Sequence, residues 1–199
     1  MHILLLGATG RTGRRVFAAA KAAGHRVTAH GRRAVAGADE EIGGAWTDPA
    51  IAEAAREADA VVSCLASSNG EGVCSAAAEA VLRADPGVRY VTVAGAGVDR
   101  PEDEKGLGDK AIGLVMRLTV GKMLADRQRE VDMLAASGAE WTAMRPPRLT
   151  EGRATGRWTF TFDRPAATSI DREDLAGAIL EVLGREDMVR RAPFVSAAR

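Results

Sequence analysis

Two kinds of segment alternate along this chain: short runs of apolar residues, and longer stretches in which apolar residues recur with the period of a helix. Short apolar runs that are bounded by turn residues are typical of strands buried on both faces of a parallel sheet. Six such strands are predicted in chain order, at residues 3–6, 25–30, 45–47, 59–66, 88–93 and 140–144. Because helices are predicted between them, the pattern indicates an α/β fold with a doubly wound parallel sheet and three αβα layers.

The helices that complete this alternation have recognisable ends. Pro49, preceded by Asp48, opens one of them, and Ser169 or Asp171 caps the last one. The helices are predicted at residues 14–23, 49–58, 72–84, 122–136 and 172–183. Residues 34–44 are predicted to be a surface connection. Two further strands, at residues 158–162 and 192–196, lie outside the alternation.

Length, charge and cysteine content narrow the class of protein. A chain of 199 residues with equal numbers of basic and acidic side chains, 27 of each, is long enough for one domain and has no net charge. This excludes a broad electrostatic case for nucleic acid or an anionic membrane. Cys64 and Cys74 are expected to be buried reduced thiols, because no CxxC or histidine cluster accompanies them. We expect a cytoplasmic protein without a signal peptide, membrane segment or metal site.

Three glycines directly after the first strand form the most informative motif. They read Gly7-x-x-Gly10-x-x-Gly13 and are followed by a helix. Strand, glycine turn and helix together are the dinucleotide-binding signature, in which the turn approaches the pyrophosphate and the helix N-terminus offers free N–H groups. The cofactor-binding residues predicted in this turn are Gly7, Thr9, Gly10, Arg11, Thr12 and Gly13. The alternative is a tight turn without a ligand.

The end of the second strand bears on the choice of cofactor. Sites that prefer NAD usually place an acidic residue here, whereas this chain has Arg32 and Arg33. Two guanidinium groups suit the 2′-phosphate of NADP(H), since they can bind phosphate oxygens in pairs. We therefore predict NADP(H) as the cofactor, the alternative being a pair of solvated surface arginines.

The carboxyl ends of the later strands complete the predicted cofactor site, because ligands bind there in open parallel sheets. Small residues follow the fourth and fifth strands and leave room for a cofactor, and two prolines fix the backbone after the sixth. These positions are Leu65, Ala66, Ala94, Gly95, Pro146 and Pro147.

Three motifs carry a family resemblance over nearly the whole chain: Gly7-Ala-Thr-Gly10-Arg-Thr-Gly13, Arg145-Pro146-Pro147 with the preceding Ser137-Gly138-x-x-Trp141-Thr142, and Ser169-Ile170-x-x-x-Asp174-Leu175-Ala176. With them the chain resembles the atypical short-chain dehydrogenase/reductases, and among these the NAD(P)H-binding, NmrA-like group with the biliverdin and flavin reductases. The resemblance implies a single Rossmann domain, NADPH in the crevice, and hydride transfer to a flat conjugated acceptor such as a flavin.

Departures from the family pattern limit the chemistry. Catalytic relatives use a Tyr-x-x-x-Lys pair as proton donor, but the only tyrosine here is Tyr90, with Ala94 four residues on. Carbonyl reduction is therefore disfavoured, because an alkoxide product needs a donor. Arg127 and Arg145 are the candidate catalytic residues, since either could stabilise negative charge on a reduced acceptor. The alternative for both is an ordinary ion pair.

Two functions follow from this reading. The first is an NADPH-dependent reductase of a flavin or quinone, in which the flavin is a substrate rather than a bound group. The second is a non-catalytic NADP(H)-binding redox sensor, and an epimerase is disfavoured.

We expect one domain over residues 1–199, with a small substrate-covering region at about 99–121 and 148–168, and a monomer or weak homodimer. Apolar residues at 112–120 indicate either a core-facing helix or a lid over the substrate.

Overall fold

The structure is a computed structural model of the chain. It describes residues 1–46, 49–66, 71–104 and 106–198, and for residues 107–118 it describes the backbone but not the side chains. The predicted cap Asp48 and the small residues 67–70 therefore lie outside the described part, as do the side chains of most of the predicted lid.

A six-stranded parallel sheet forms the centre of the molecule and confirms the predicted fold class. Its strand order is β3-β2-β1-β4-β5-β6, so the order reverses between β1 and β4. The strands are β1 (His2–Leu6), β2 (Arg26–His30), β3 (Glu40–Ile42), β4 (Ala60–Ser63), β5 (Arg89–Val93) and β6 (Glu140–Met144). In open parallel sheets such a reversal opens a crevice at the carboxyl ends of the strands.

Five α-helices cover the two faces of this sheet. They are α1 (Gly13–Ala22), α2 (Pro49–Glu57), α3 (Val73–Ala84), α4 (Leu107–Ala136) and α5 (Arg172–Leu183). Leu4 and Leu6 of β1 pack into a core with α2, α3 and α4, whereas Ile3 and Leu5 pack into a second core with α1 and α5. Successive strand residues point to opposite faces, which is why a run of four apolar residues can be completely buried.

Several boundaries differ from the sequence prediction, and the fourth strand ends at Ser63 instead of residue 66. The third strand is Glu40–Ile42, inside the segment predicted to be a surface connection, and the predicted strand at 45–47 is wrong for Ala45 and Trp46. β3 lies at the edge of the sheet and has exposed charged residues, one of which pairs with Arg26 of β2. No apolar pattern therefore indicates this strand in the sequence. The predicted helix at 122–136 is the second part of α4, which changes direction at Val120 (φ −130°, ψ 27°).

Two small sheets complete the fold beyond β6. In one, β8 (Trp158–Thr161) pairs antiparallel with β10 (Phe194–Ala197), close to the predicted positions. In the other, β7 (Arg148–Thr150) pairs parallel with β9 (Ser169–Asp171), which the sequence did not indicate. A short 3₁₀ helix spans Glu186–Met188. These elements bring the segment after β6 next to the start of α5.

Candidate functional site

The glycine turn after β1 approaches its neighbours too closely for side chains. Gly7 has a φ of +78°, and a Cβ there would lie 3.0 Å from the backbone carbonyl of Cys64. A Cβ on Gly13 would lie only 2.1 Å from the carbonyl oxygen of Gly7. The N–H of Gly10 donates to that same oxygen at 3.0 Å and closes the turn. Gly7 and Gly13 are therefore needed for the turn to fit between the end of β4 and the start of α1.

Backbone donors without a hydrogen-bond acceptor in the described part of the chain lie at the start of α1. Thr12 caps the helix without a side-chain hydrogen bond. Four backbone N–H groups in this segment have no acceptor within the described residues. They belong to Thr9, Arg11, Thr12 and Gly13. Such a group of donors at the positive end of a helix dipole is suited to bind an anion such as a phosphate.

The glycine turn is also tied to the end of β2. The N–H groups of Gly7 and Ala8 both donate to the carbonyl of His30, at 3.0 and 2.9 Å. A Cβ on Gly31 would lie 2.8 Å from the methyl group of Thr9, so the two segments are in close contact. Arg32 and Arg33, the next two residues, are exposed, and neither has an ion-pair partner among the residues that the structure describes. The predicted 2′-phosphate residues thus lie beside the turn.

The ends of β4, β5 and β6 bring the remaining predicted cofactor residues to the same edge of the sheet. Leu65 is buried and Ala66 exposed directly after β4. Ala94 and Gly95 donate their N–H groups to the carbonyl of Met144, at 2.8 and 3.2 Å. After β6, Pro146 is buried and accepts a hydrogen bond from Ala96 at 2.8 Å, and Pro147 is half-buried. The segments after β5 and β6 are therefore fixed to each other.

Arg127 lies in α4 and is buried together with Glu130. Its guanidinium donates to Glu130 at 2.8 Å, to Thr92 at 3.3 Å and to the carbonyl of Leu65. Burial alone would lower the pKa of Arg127, but the Glu130 carboxylate raises it, so the side chain stays charged. The predicted catalytic residue thus connects α4 to the segment after β4.

Arg145 directly follows β6 and has no exposed surface. Nη1 contacts the carboxylate of Asp103 at 2.6 and 2.8 Å, and Nε donates to the carbonyl of Ala192 at 2.7 Å. The guanidinium also lies 3.9 Å from the centre of the Phe194 ring. Burial lowers the pKa of Arg145, whereas Asp103 acts in the opposite direction. Arg127 and Arg145 have no partner in common among the described residues, and their catalytic role stays a prediction.

Several polar residues around the crevice were not singled out from the sequence. Asp126 of α4 accepts the N–H groups of Cys74 and Ser75 at the start of α3, at 2.9 and 3.1 Å. Glu130 also accepts the hydroxyl of Thr92 at 2.9 Å. The spacing of Asp126, Arg127 and Glu130 places all three on neighbouring helix positions, which is the signal that could have indicated a shared polar cluster.

The last motif of the sequence has a structural explanation. Asp171 caps α5 by accepting the N–H of Glu173 and also accepts the N–H of Gly152 at 2.6 Å. Asp174 accepts the N–H groups of Thr155 and Gly156, at 2.8 to 3.0 Å. Both carboxylates therefore fix the loop after β7.

The sequence also led to expectations about metal ions, disulfides and membrane-spanning segments. Among the described residues, no three His, Cys, Asp or Glu side chains are grouped so that they could hold a metal ion. Both cysteines are free; Cys74 is buried, where burial raises its pKa to about 12, and Cys64 is half-buried just after β4. No helix in the described part is long and apolar enough to cross a membrane.

The residues at this edge of the sheet fit a nicotinamide dinucleotide. Gly7 and Gly13 let the turn lie directly against the end of β4 and the start of α1, and unpaired N–H groups and arginines beside it supply the charge that phosphates require. The fit rests on these contacts and not on the glycine spacing alone.

Comparisons with known proteins agree with this geometry. The model of an NAD(P)H-binding family matches residues 7–186. A candidate NADH-flavin reductase from Streptococcus pneumoniae TIGR4 superposes with a TM-score of 0.82 at 20% identity, covering 100% of both chains. An anaerobillin reductase from Escherichia coli O157:H7 gives 0.82 at 19% identity, covering 99% of this chain and 97% of the other.

A third solved structure was determined with a nucleotide. It is a wide-type short-chain dehydrogenase/reductase from Veillonella parvula in complex with NADP, with a TM-score of 0.79 and 17% identity over 98% of this chain and 94% of the other. A search of curated protein sequences finds no match. The family match covers the glycine turn, the crevice and α5, and the solved structures share the fold, so the NAD(P)H-binding part of the predicted resemblance is confirmed. The chain belongs to the NAD(P)H-binding family.

Proposed function

We propose that this protein is an NADPH-dependent reductase that transfers a hydride to a flavin or a similar flat conjugated acceptor. The observation that carries the choice of cofactor is the exposed Arg32–Arg33 pair, which directly follows the contact between Gly31 and Thr9. A flavin reductase and an anaerobillin reductase among the solved structures with this fold support an acceptor with a flat ring system.

In this proposal the protein contributes binding and orientation. The N–H groups of the glycine turn bind the pyrophosphate, and Arg32 and Arg33 bind the 2′-phosphate. Small residues after β5, Ala94 and Gly95, leave space for the ring that reacts, since no side chain larger than a methyl group is present there. Holding donor and acceptor at reacting distance lowers the barrier, because the entropy of bringing them together is lost on binding and not in the reaction step.

The cofactor supplies the hydride, which together with one proton from solvent converts an oxidised flavin to its dihydro form. No side-chain proton donor is assigned. Tyr90 is completely buried, and its hydroxyl lies 3.4 Å from Glu130. A flavin accepts hydride directly and its reduced ring exchanges protons with water, so the missing Tyr-x-x-x-Lys pair is tolerated for this acceptor and not for a carbonyl.

The two candidate catalytic arginines enter this proposal with a limited role. Arg127 is paired with Glu130 and Arg145 with Asp103, so each charge is largely neutralised inside the protein. We propose that Arg127 mainly fixes the position of the Leu65 carbonyl at the crevice. A contribution of either arginine to the charge on the reduced acceptor is tested by their Lys variants, which keep the charge without the fork of hydrogen bonds: an unchanged kcat would support the charge, and a lowered kcat would support the positioning of the backbone.

The first experiment measures turnover directly. Purified protein is mixed with NADPH and FMN, FAD, riboflavin or a quinone, and the absorbance of the reduced nicotinamide is followed. We expect oxidation of NADPH at a rate proportional to enzyme concentration with at least one flavin. Tight binding of NADPH without turnover of any acceptor would contradict the reductase.

Binding of NADPH without turnover would favour the second candidate function, a non-catalytic NADP(H)-binding redox sensor. The observation in favour of the sensor is that every charged side chain predicted to act in catalysis is already buried in an ion pair. A sensor is expected to bind NADPH and NADP with different affinities and to change its hydrogen exchange between the two.

The choice of cofactor has its own test. We expect the Arg32→Ala, Arg33→Ala double variant to weaken NADPH binding by about 10- to 100-fold, because the two exposed arginines together are expected to contribute about 1.5–3 kcal/mol. NADH binding should change much less. Arg56→Ala, at the exposed carboxyl end of α2, is the matched control and should leave both affinities unchanged. Equal losses for NADPH and NADH would contradict the 2′-phosphate role.

A further inference from the structure

One carboxylate oxygen lies between two guanidinium groups beside the glycine turn. Oε1 of Glu151 is 3.2 Å from Nη1 of Arg172 and 3.7 Å from Nη1 of Arg11. Arg11 belongs to the glycine turn, Arg172 is the first residue of α5, and Glu151 directly follows β7. Three separate segments of the chain thus meet at a single negative charge.

Positive charge exceeds what this carboxylate neutralises. Arg15 lies one turn along α1, donates to the carbonyl of Arg11 at 2.7 Å, and has a buried Nε with no acceptor in the described part of the chain. Arg172 is only 8% exposed. Burial, together with the charges of Arg11 and Arg15, lowers the pKa of Arg172, although a guanidinium stays protonated at neutral pH. An additional anion would therefore be stabilised here.

The surrounding backbone holds these groups at the crevice. The second carboxylate near Arg172, that of Asp171, already accepts the N–H groups of Gly152 and Glu173. Arg172 itself donates to the carbonyl of Thr150 at 3.3 Å. α1 and α5 pack against the same face of the sheet, and both begin at its carboxyl edge. Arg172 is thus directed to the end of α1 where the free N–H groups lie.

We propose that Arg172 is a phosphate-binding residue of the nucleotide site and that Glu151 is a built-in counter-ion that a phosphate of the nucleotide replaces. The inference rests on the proposed function only in requiring that a dinucleotide binds at the glycine turn. A phosphate group accepts from guanidinium with the same fork geometry as a carboxylate and carries at least as much charge. Glu151 is exposed, so it can leave Arg11 and Arg172 without being buried elsewhere.

The phosphate could belong to the pyrophosphate, which NADPH and NADH share, or to the 2′-phosphate, which only NADPH has. Arg172→Gln is expected to raise the Kd of NADPH about tenfold. An equal rise for NADH assigns the pyrophosphate, and a rise for NADPH alone assigns the 2′-phosphate. Arg172→Lys keeps the charge without the fork and should lie between the wild type and Arg172→Gln; it also serves if Arg172→Gln does not fold. Unchanged affinity in a folded variant would overturn the inference.

Arg185→Gln is the matched control, because Arg185 lies at the other end of α5 and pairs there with Glu181 and Asp187. It should leave the affinity for both nucleotides unchanged. A loss equal to that of Arg172→Gln would show that any positive charge near α5 matters and would overturn the specific role.

Glu151→Gln tests the counter-ion. We expect it to lower the Kd of NADPH about threefold, since the phosphate no longer competes with a carboxylate. If Glu151 competes for Arg172, this gain must shrink in the Arg172→Gln background, whereas simple repulsion between Glu151 and the nucleotide predicts the same gain in both backgrounds. A weaker affinity of Glu151→Gln, or an undiminished gain in the double variant, would overturn the counter-ion. If the wild type binds neither nucleotide, the proposed function fails instead.

Discussion

At the scale of single residues, the glycine turn shows how a missing side chain can be a structural requirement. Gly13→Ala would place a Cβ within 3.0 Å of backbone atoms of Gly7 and Ala8, where no flexible side chain can move away. We expect the free energy of unfolding to fall by about 2 kcal/mol or more, and NADPH binding to be lost with it. Urea unfolding and nucleotide titration measure the two effects. Gly184→Ala, with no neighbour within 4 Å, should change stability by less than about 0.5 kcal/mol.

Asp126 illustrates a buried charge whose effect depends on pH. Burial raises its pKa, but the hydrogen bonds from Cys74 and Ser75 outweigh burial, so the pKa lies below its usual 3.8. A carboxyl whose pKa is lower in the folded state stabilises the protein above the unfolded-state pKa and loses this effect as the pH falls through the folded-state value. We expect Asp126→Asn to cost about 1–2 kcal/mol at pH 7.

The destabilisation by Asp126→Asn should therefore begin to shrink below about pH 4, where the unfolded wild-type chain takes up a proton that the folded carboxyl does not yet bind. Denaturant unfolding of both proteins between pH 7 and pH 3 measures this. Asp132→Asn, on the exposed side of the same helix, should have little effect at either pH. A destabilisation by Asp126→Asn that is the same at pH 7 and pH 3 would show that its charge is not what holds α3.

At the scale of elements, the sequence predicted those parts in which burial determines the residue types. β1, β6 and α5 have the predicted bounds or nearly so, because their apolar residues follow the period of a strand or a helix. β3 was missed because an edge strand needs no apolar face, and β7 and β9 because strands of three residues are too short for a period. Their pairing depends on partners far away in the sequence.

The same distinction applies to the candidate site. A glycine turn is readable because its backbone geometry excludes other residues. The sequence allowed an ion pair for Arg127 and for Arg145 but did not identify the partners. Asp103 is 42 residues from Arg145, and only the fold brings the two side chains together. Glu151 and Arg172 were missed for the same reason.

Asp174 of α5 holds the loop after β7, and its removal should loosen that loop. Asp174 accepts the N–H groups of Thr155 and Gly156, so Asp174→Ala leaves these donors without their charged acceptor. We expect faster hydrogen exchange at both amides and a loss of about 1–3 kcal/mol in stability. Glu173→Ala, its exposed neighbour in the first turn of α5, is the control and should leave the exchange of both amides unchanged. Unaltered exchange in Asp174→Ala would show that the loop holds itself.

At the scale of the whole molecule, Arg145 joins three parts of the structure that lie far apart in sequence. It directly follows β6 of the central sheet, donates to Ala192 just before β10, and pairs with Asp103 in the segment before α4. Phe194 of β10 covers the guanidinium. Since one charged side chain connects the central sheet, the small sheet and the segment before α4, its removal should affect the stability of the entire domain.

We expect Arg145→Met to lower the free energy of unfolding by about 3–5 kcal/mol, because it removes the guanidinium that pairs with the largely buried Asp103 carboxylate. Asp103→Asn in the same background should recover part of this loss, and a double-mutant cycle measured by urea unfolding gives the coupling energy. Arg164→Met, an exposed arginine next to Asp163, is the control for loss of charge. If Arg145 instead stabilises a reduced acceptor, Arg145→Met would lower kcat at nearly unchanged stability. The two effects thus separate a residue that holds the domain together from one that takes part in the reaction.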